Sequence, residues 1–143
     1  MPEGQYNIGR DVNLTIIGPS GPIILDTIIN WKRKQDDSIQ RIVTINSDTD
    51  HLQFFYGWSG SFDLERAGPQ LDLYFALKES NYFNGIRDKN VFIREIINEP
   101  DGSISVFKFT KVKLSYADAG DFAGDKSVKQ SVNFVSSRRE VVA

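Results

Sequence analysis

Residues 53–66 read QFFYGWSGSFDLER, and their alternation sets the fold class. Phe54, Tyr56, Trp58, Phe62 and Leu64 fall in one phase of a two-residue period. Phe55, Gly57, Ser59, Ser61, Asp63 and Glu65 fall in the other. The stretch predicts a strand about twice the usual length, with an apolar face for a core and a polar face for water. Gly57 and Gly60 mark places for a bend, a bulge or a close backbone approach. Asp63 and Glu65 share the polar face, where acids are ordinary, so their spacing alone does not define an acid/base pair.

Downstream, GPQLDLYFALKESNYFNG (68–85) predicts the single helix. Gly68 suits the N-cap, Pro69 the first helical position and Asp72 the first turn. Leu71, Tyr74, Phe75, Lys78 and Tyr82 form its packing stripe, and Asn84-Gly85 supplies the stop. VFIREIIN (91–98) and SISVFKFTKVKLSY (103–116) predict strands joined by the turn EPDG. The second strand changes phase, from Phe107 and Phe109 to Val112, Leu114 and Tyr116, so a β-bulge is expected between 109 and 112. SVKQSVNFVSSRR (127–139) predicts the last strand.

Upstream, VNLTII (12–17) and PIILDTII (22–29) predict a hairpin around GPSGP. Residues 30–52 are charged and too poor in apolar side chains to form a core. They read as a long polar hairpin or arm, either solvated or packed on another subunit. The total is about six to seven strands and one helix with no βαβ repetition. The fold class is therefore mainly β: an antiparallel β-sandwich or barrel flanked by one α-helix.

A chain of 143 residues suits one domain with a real core. The net charge of −2 gives no basis for tight nucleic-acid binding. The absence of cysteine excludes disulfides, thiolate metal sites and cysteine nucleophiles. MPEGQYNIGR is not a signal peptide, and no apolar run is long enough to span a membrane, so folding in a cytoplasm is expected. His51 is the only histidine. No second histidine accompanies it for a metal site, no nucleophile elbow supports a triad, and no phosphate loop is present. In SYADAGDFAGDKSVKQSVNF (115–134), the aspartates Asp118, Asp121 and Asp125 lack calcium-loop spacing. The expected reading is a connection shaped by Asp118, Gly120 and Gly124, pinned by Phe122, with Gln130 starting the closing strand. No cofactor, metal site or catalytic residue is expected.

Certain residues carry a resemblance. They are YGWSGSFDLER (56–66), FNG (83–85), Phe109–Val112, Asp118–Gly120, Val128–Gln130–Val132–Phe134 and Arg138–Arg139. In this order they resemble the tail tube proteins of contractile-tailed bacteriophages (the Hcp-like tube fold) over about residues 54–139. The resemblance implies one tail-tube-like domain over 1–143, with an arm at about 31–52. Six-subunit rings would stack into a hollow tube that conducts DNA from capsid to host. Its partners would be other copies of itself, the tail sheath, the tape-measure and baseplate or terminator proteins, and DNA in transient contact. Its location would be the virion tail, assembled in the host cytoplasm. The bore wall should be polar and not basic, and Ser59, Ser61, Asp63 and Glu65, or alternatively Ser131 and Asn133, are its candidates. Trp31, Lys32, Arg33, Lys34, Asp36, Asp37 and Arg41 are candidates for inter-subunit contact. The same fold serves the tube of a type VI secretion system or contractile injection particle. A different class, a carbohydrate-binding sandwich, would use Trp31, Tyr56 and Trp58 to stack on sugars.

Overall fold

The computed structural model describes residues 6–8, 11–19, 21–46 and 48–142. Ser20 and Ser47, within two predicted turns, and most of the N-terminal stretch lie outside them. The chain runs β1 (Val12–Gly18), β2 (Gly21–Leu25), β3 (Ile28–Val43), β4 (Thr49–Glu65), α1 (Gln70–Phe83), β5 (Val91–Asn98), β6 (Ile104–Asp118), β7 (Lys129–Ser136) and β8 (Arg138–Val141).

All neighbouring strands are antiparallel, in the order β2-β1-β5-β6-β7-β4-β3, with β8 also on β6. The sheet folds over because β6 belongs to both halves. Residues 104–112 pair with β5, while residues 113–118 pair with β7. The joint is the expected bulge: Val91 faces Val112 but Ile93 faces Phe109, and Lys111 has φ 51. One inserted residue puts Phe109, Val112 and Leu114 in the same core despite their opposite parity.

The core lies between the two halves. Leu14, Ile16, Val91, Ile93 and Phe109 meet Phe62, Leu64, Val132 and Phe134. The predicted helix begins one residue late, with Pro69 rather than Gly68 at its N-cap. Leu71 is its only fully buried residue, and Phe75 packs on Tyr116 at 4.0 Å between ring centroids. Tyr82, expected on the packing stripe, is 76% exposed: the helix touches the sheets mainly through its first half. The stop at Asn84-Gly85 is as expected, with Gly85 at φ 74.

Two predicted strands are each divided, which raises the count to eight. The 22–29 run breaks at Asp26–Thr27, where the Thr27 hydroxyl donates to the Glu65 carbonyl at 2.6 Å. The 127–139 run breaks at Ser137, where the chain leaves β4 and β6's second half and joins β6's first half as β8.

The decisive departure is in β4. Asp36 faces Gly57 but Asp37 faces Phe55, so Tyr56 is an extra residue. This bulge inverts the alternation beyond Gly57. Phe62 and Leu64 are buried, and Trp58 is half-buried. Phe54, which the parity placed beside them, instead continues the polar face and is exposed, as are Phe55 and Tyr56. Gly57 and Gly60 are required at this joint. A Cβ at Gly57 would sit 2.4 Å from the Ser136 carbonyl, and one at Gly60 2.1 Å from that of Lys32.

Candidate assembly surfaces

The two candidate bore faces are one face. β4 and β7 are in register, with Ser59 opposite Val135, Ser61 opposite Asn133, Asp63 opposite Ser131 and Glu65 opposite Lys129. Paired residues on antiparallel strands project to the same side. β3 adds Asn30, Lys32 and Lys34 opposite Asp63, Ser61 and Ser59, and β6 adds Ser115 opposite Asn133. The result is a four-stranded polar wall backed by the Phe62–Val132–Phe134 core.

Neutral donors engage its acids. The Ser131 hydroxyl donates to Asp63 Oδ1 at 2.6 Å and Asn30 Nδ2 to Oδ2 at 3.3 Å. The Ser59 hydroxyl donates to Asp36 at 3.2 Å, and that of Ser127 to Glu65 at 3.2 Å. Lys32, Lys34, Lys113 and Lys129 balance Asp36, Asp63, Glu65 and Asp118 across the wall, so it is polar without a basic excess.

The arm is a real hairpin. β3 and β4 stay paired from Ile28–Leu64 out to Val43–Thr49. The seven candidate contact residues occupy three settings. Trp31 belongs to the subunit's own core: its ring stacks on Phe134 at 5.1 Å, and Nε1 donates to Glu95 at 2.5 Å. Arg33 also turns inward, 3.1 Å from Glu95. Lys32, Lys34 and Asp36 lie on the polar wall. Asp37 accepts from Gln53 at 2.6 Å, and Arg41 lies opposite His51 on the outer arm. Around them Ile39, Leu52, Phe54, Phe55 and Tyr56 are exposed on both faces of the ribbon.

Sequence reading missed Glu95. It is fully buried yet accepts from Trp31 and from Arg139 Nη2 at 2.6 Å, and it forms an ion pair with Arg33. Arg139 also covers the Phe107 ring at 3.7 Å. The signal was present in VFIREIIN: Val91, Ile93 and Glu95 share a parity, and an acid in an apolar phase requires partners. The Trp58 ring likewise meets Phe109 edge-on at 5.7 Å. Of the three aromatics expected to stack on sugar, only Tyr56 is mainly exposed, its hydroxyl 3.2 Å from Ser38 Oγ.

A second polar cluster ties the helix to the sheets. Asp72 accepts from the Tyr116 hydroxyl, from Arg66 Nε at 2.7 Å and from Gln130 Nε2 at 2.9 Å. The Tyr116 bond holds the Asp72 carboxyl below the ordinary carboxylate range against an opposing effect of burial, with Arg66 and Gln130 adding to it. Burial, then the bond to Asp72, pushes the Tyr116 hydroxyl up. Nearby, burial pushes Tyr74 up to about 12, and burial lowers Lys78, whose Nζ donates to the Leu114 carbonyl at 2.7 Å.

The 118–125 stretch is built as a turn. Asp118 accepts from the Gly120 amide at 2.9 Å, and Gly120 has φ 106, where a Cβ would strike Val128 at 2.6 Å. Gln130, not Phe122, pins it, donating to the Ala119 carbonyl at 3.1 Å. Phe122 is 80% exposed, and a Cβ at Gly124 would meet open space. Among the described residues no three His, Cys, Asp or Glu side chains gather as a metal site, and no helix is long and apolar enough to cross a membrane.

No family model matches the chain, and no curated protein matches it. Solved structures do share its architecture. A chain of the anti-feeding prophage tube-terminating cap superposes with TM-score 0.63 at 10% identity, covering 97% of this chain and 93% of its own. A chain of the sheath–tube complex of an extracellular contractile injection system gives 0.59 at 8% identity, with 96% and 92% covered. A chain from the tail of a gene transfer agent particle, refined with C6 symmetry, gives 0.54 at 12%, with 96% and 100% covered. This chain shares the fold of these particle chains. At such identities the likeness is one of fold.

Proposed function

We propose that this chain is a structural, non-catalytic subunit of a tail tube. Six copies close into a ring, and rings stack into a hollow conduit that DNA crosses on its way to a host. The observation that carries this reading is the continuous polar wall. β4 and β7 present Ser59, Ser61, Asp63, Glu65, Ser131 and Asn133 on one side, and β3 and β6 extend that side with balanced charge. A conduit must pass a polyanion without retaining it, and a wall of hydroxyls, amides and compensated charges offers few uncompensated cations for phosphates.

Two further features support it. β3 ends the strand order with one long side unpaired among the described residues, an edge that ring closure would cover. The arm carries exposed apolar side chains on both faces, and a lone two-stranded ribbon is marginal in water, so contact with adjacent copies would stabilise it. Sheath, tape-measure and terminator proteins are the partners of such a tube, and a virion tail is its place.

The tube of a contractile injection particle is the second reading. It is favoured by the higher TM-scores of the injection-particle chains over the gene transfer agent chain. Cargo isolated with native particles separates the two: nucleic acid for the first, protein for the second. Native mass spectrometry of the purified chain tests the shared part. Assemblies in multiples of six chains are expected; a monomer at all concentrations contradicts it.

A further inference from the structure

The arm has an apex and a base whose chemistries match. At the apex, Thr44 closes the β3–β4 turn, its amide donating to the Asp48 carbonyl at 2.8 Å and its hydroxyl at 3.1 Å. Ile45 stands there 100% exposed. Turns favour small and polar residues, so this isoleucine presents an apolar side chain to whatever the apex meets. The only charges from Val43 to Asp50 are Asp48 and Asp50.

At the base, the chain's crossing from β7 to β8 at Ser137 leaves a notch of about 520 Å³. Gln35, Phe55, Tyr56, Trp58, Ser137 and Arg138 line it. Gly57 lets the crossing approach β4, because any Cβ would strike Ser136. Arg139, the notch's other arginine, is committed to Glu95 at 2.6 Å. Arg138 is exposed and has no ion pair among the described residues. The notch therefore offers aromatic walls and one uncompensated guanidinium. The apex offers an apolar plug and two carboxylates.

We propose that the apex of one copy docks into the notch of a second copy, with Ile45 against Phe55, Tyr56 and Trp58, and Asp48 and Asp50 facing Arg138. The same chain cannot supply both halves, since about 25 Å of paired strand separates its apex from its own notch. The contact is heterologous, apex to base, so it propagates from copy to copy and each chain uses each half once. It rests on the self-assembly proposed above and names the surfaces that make it.

The full chain carrying both Ile45→Cys and Phe55→Cys tests this cleanly, because the native sequence has no cysteine. A disulfide needs Cα atoms about 4.4–6.8 Å apart, which excludes a bridge within one arm. Mild oxidation should give a ladder of dimers, trimers and larger species on a non-reducing gel, while each single-cysteine variant stops at dimers. Separately, Ile45→Asp and Arg138→Glu should each lose extended assembly. In their equimolar mixture this contact can join chains only in pairs, since one chain keeps the apex and the other the notch, so extended assembly should not return. No species beyond dimers from the double-cysteine chain overturns the docking. Tubes of Ile45→Asp matching the wild type also overturn it and leave the ring reading standing. A ladder from a protein that forms no six-fold rings removes the ring reading and keeps the docking. Chains that stay monomeric throughout overturn both.

Discussion

Replacing Glu95 with alanine removes the acceptor on which Trp31, Arg33 and Arg139 converge. The carboxylate is fully buried, and the Arg33 and Arg139 side chains are 33% and 17% exposed. Arg33 can swing toward water and recover most of its solvation. Arg139 cannot: it is enclosed between Phe107, Trp58 and Phe109, and its buried Nε has no hydrogen-bond partner among the described residues. Removing one side of a buried pair costs about 3–5 kcal/mol, largely from the charge left behind. With Arg33 discounted, the lower end, about 3 kcal/mol, is expected. That corresponds to a fall in Tm of about 6–12 °C for a chain of this size. The double variant Glu95→Leu/Arg139→Met should regain most of the loss, because apolar replacement of both partners is often neutral. Urea unfolding of the dilute monomer measures all three proteins, with an unchanged m-value as the control for two-state behaviour. A loss below about 1 kcal/mol for Glu95→Ala, or a double variant no more stable than the single, refutes the reasoning.

The Asp72 cluster predicts an acid dependence. The folded pKa of Asp72 lies below its unfolded value, so its contribution is complete above the ordinary carboxylate range and is lost as pH falls through that range. Tyr116→Phe removes the largest cause, so its urea midpoint should fall less steeply than the wild type's below about pH 4. Gly60→Ala places a Cβ 2.1 Å from a backbone carbonyl and 2.8 Å from the Phe134 ring. It should destabilise by about 1–3 kcal/mol or more, whereas Gly124→Ala, facing open space, should shift the midpoint by no more than about 0.5 kcal/mol. Replacing residues 34–49 with a short turn should leave a folded monomer that unfolds cooperatively and no longer forms tubes; normal tubes would refute the role given to the arm. Replacing Ser59, Ser61 and Asp63 with lysine should permit assembly yet slow ejection from intact particles, and unchanged kinetics would refute the wall.

Strand order could not be read from the sequence, but most strands and the helix could, because their apolar periods are clean. The bulge in β6 was legible because Phe109 and Val112 have opposite parity and both must be buried. The bulge in β4 was not. Phe54, Phe55 and Tyr56 are consecutive aromatics, so no polar residue marks where the phase inverts. Trp31 was hidden by its neighbours: in WKRKQDDS it reads as part of a charged arm, and only the pairing of Trp31 with Phe62 brings it over Phe134. The polar wall was legible in halves, on β4 and on β7. Their union needed the long-range register, which no local pattern encodes.

The central claim is that the face bearing Ser59, Ser61, Asp63, Ser131 and Asn133 lines the bore of a six-fold tube. Cryo-electron microscopy of tubes grown from the purified chain measures it directly. Six-fold rings are expected, with β4 and β7 turning these side chains inward and helix α1 outward. Tubes of another symmetry, or six-fold tubes with α1 facing the bore, contradict it.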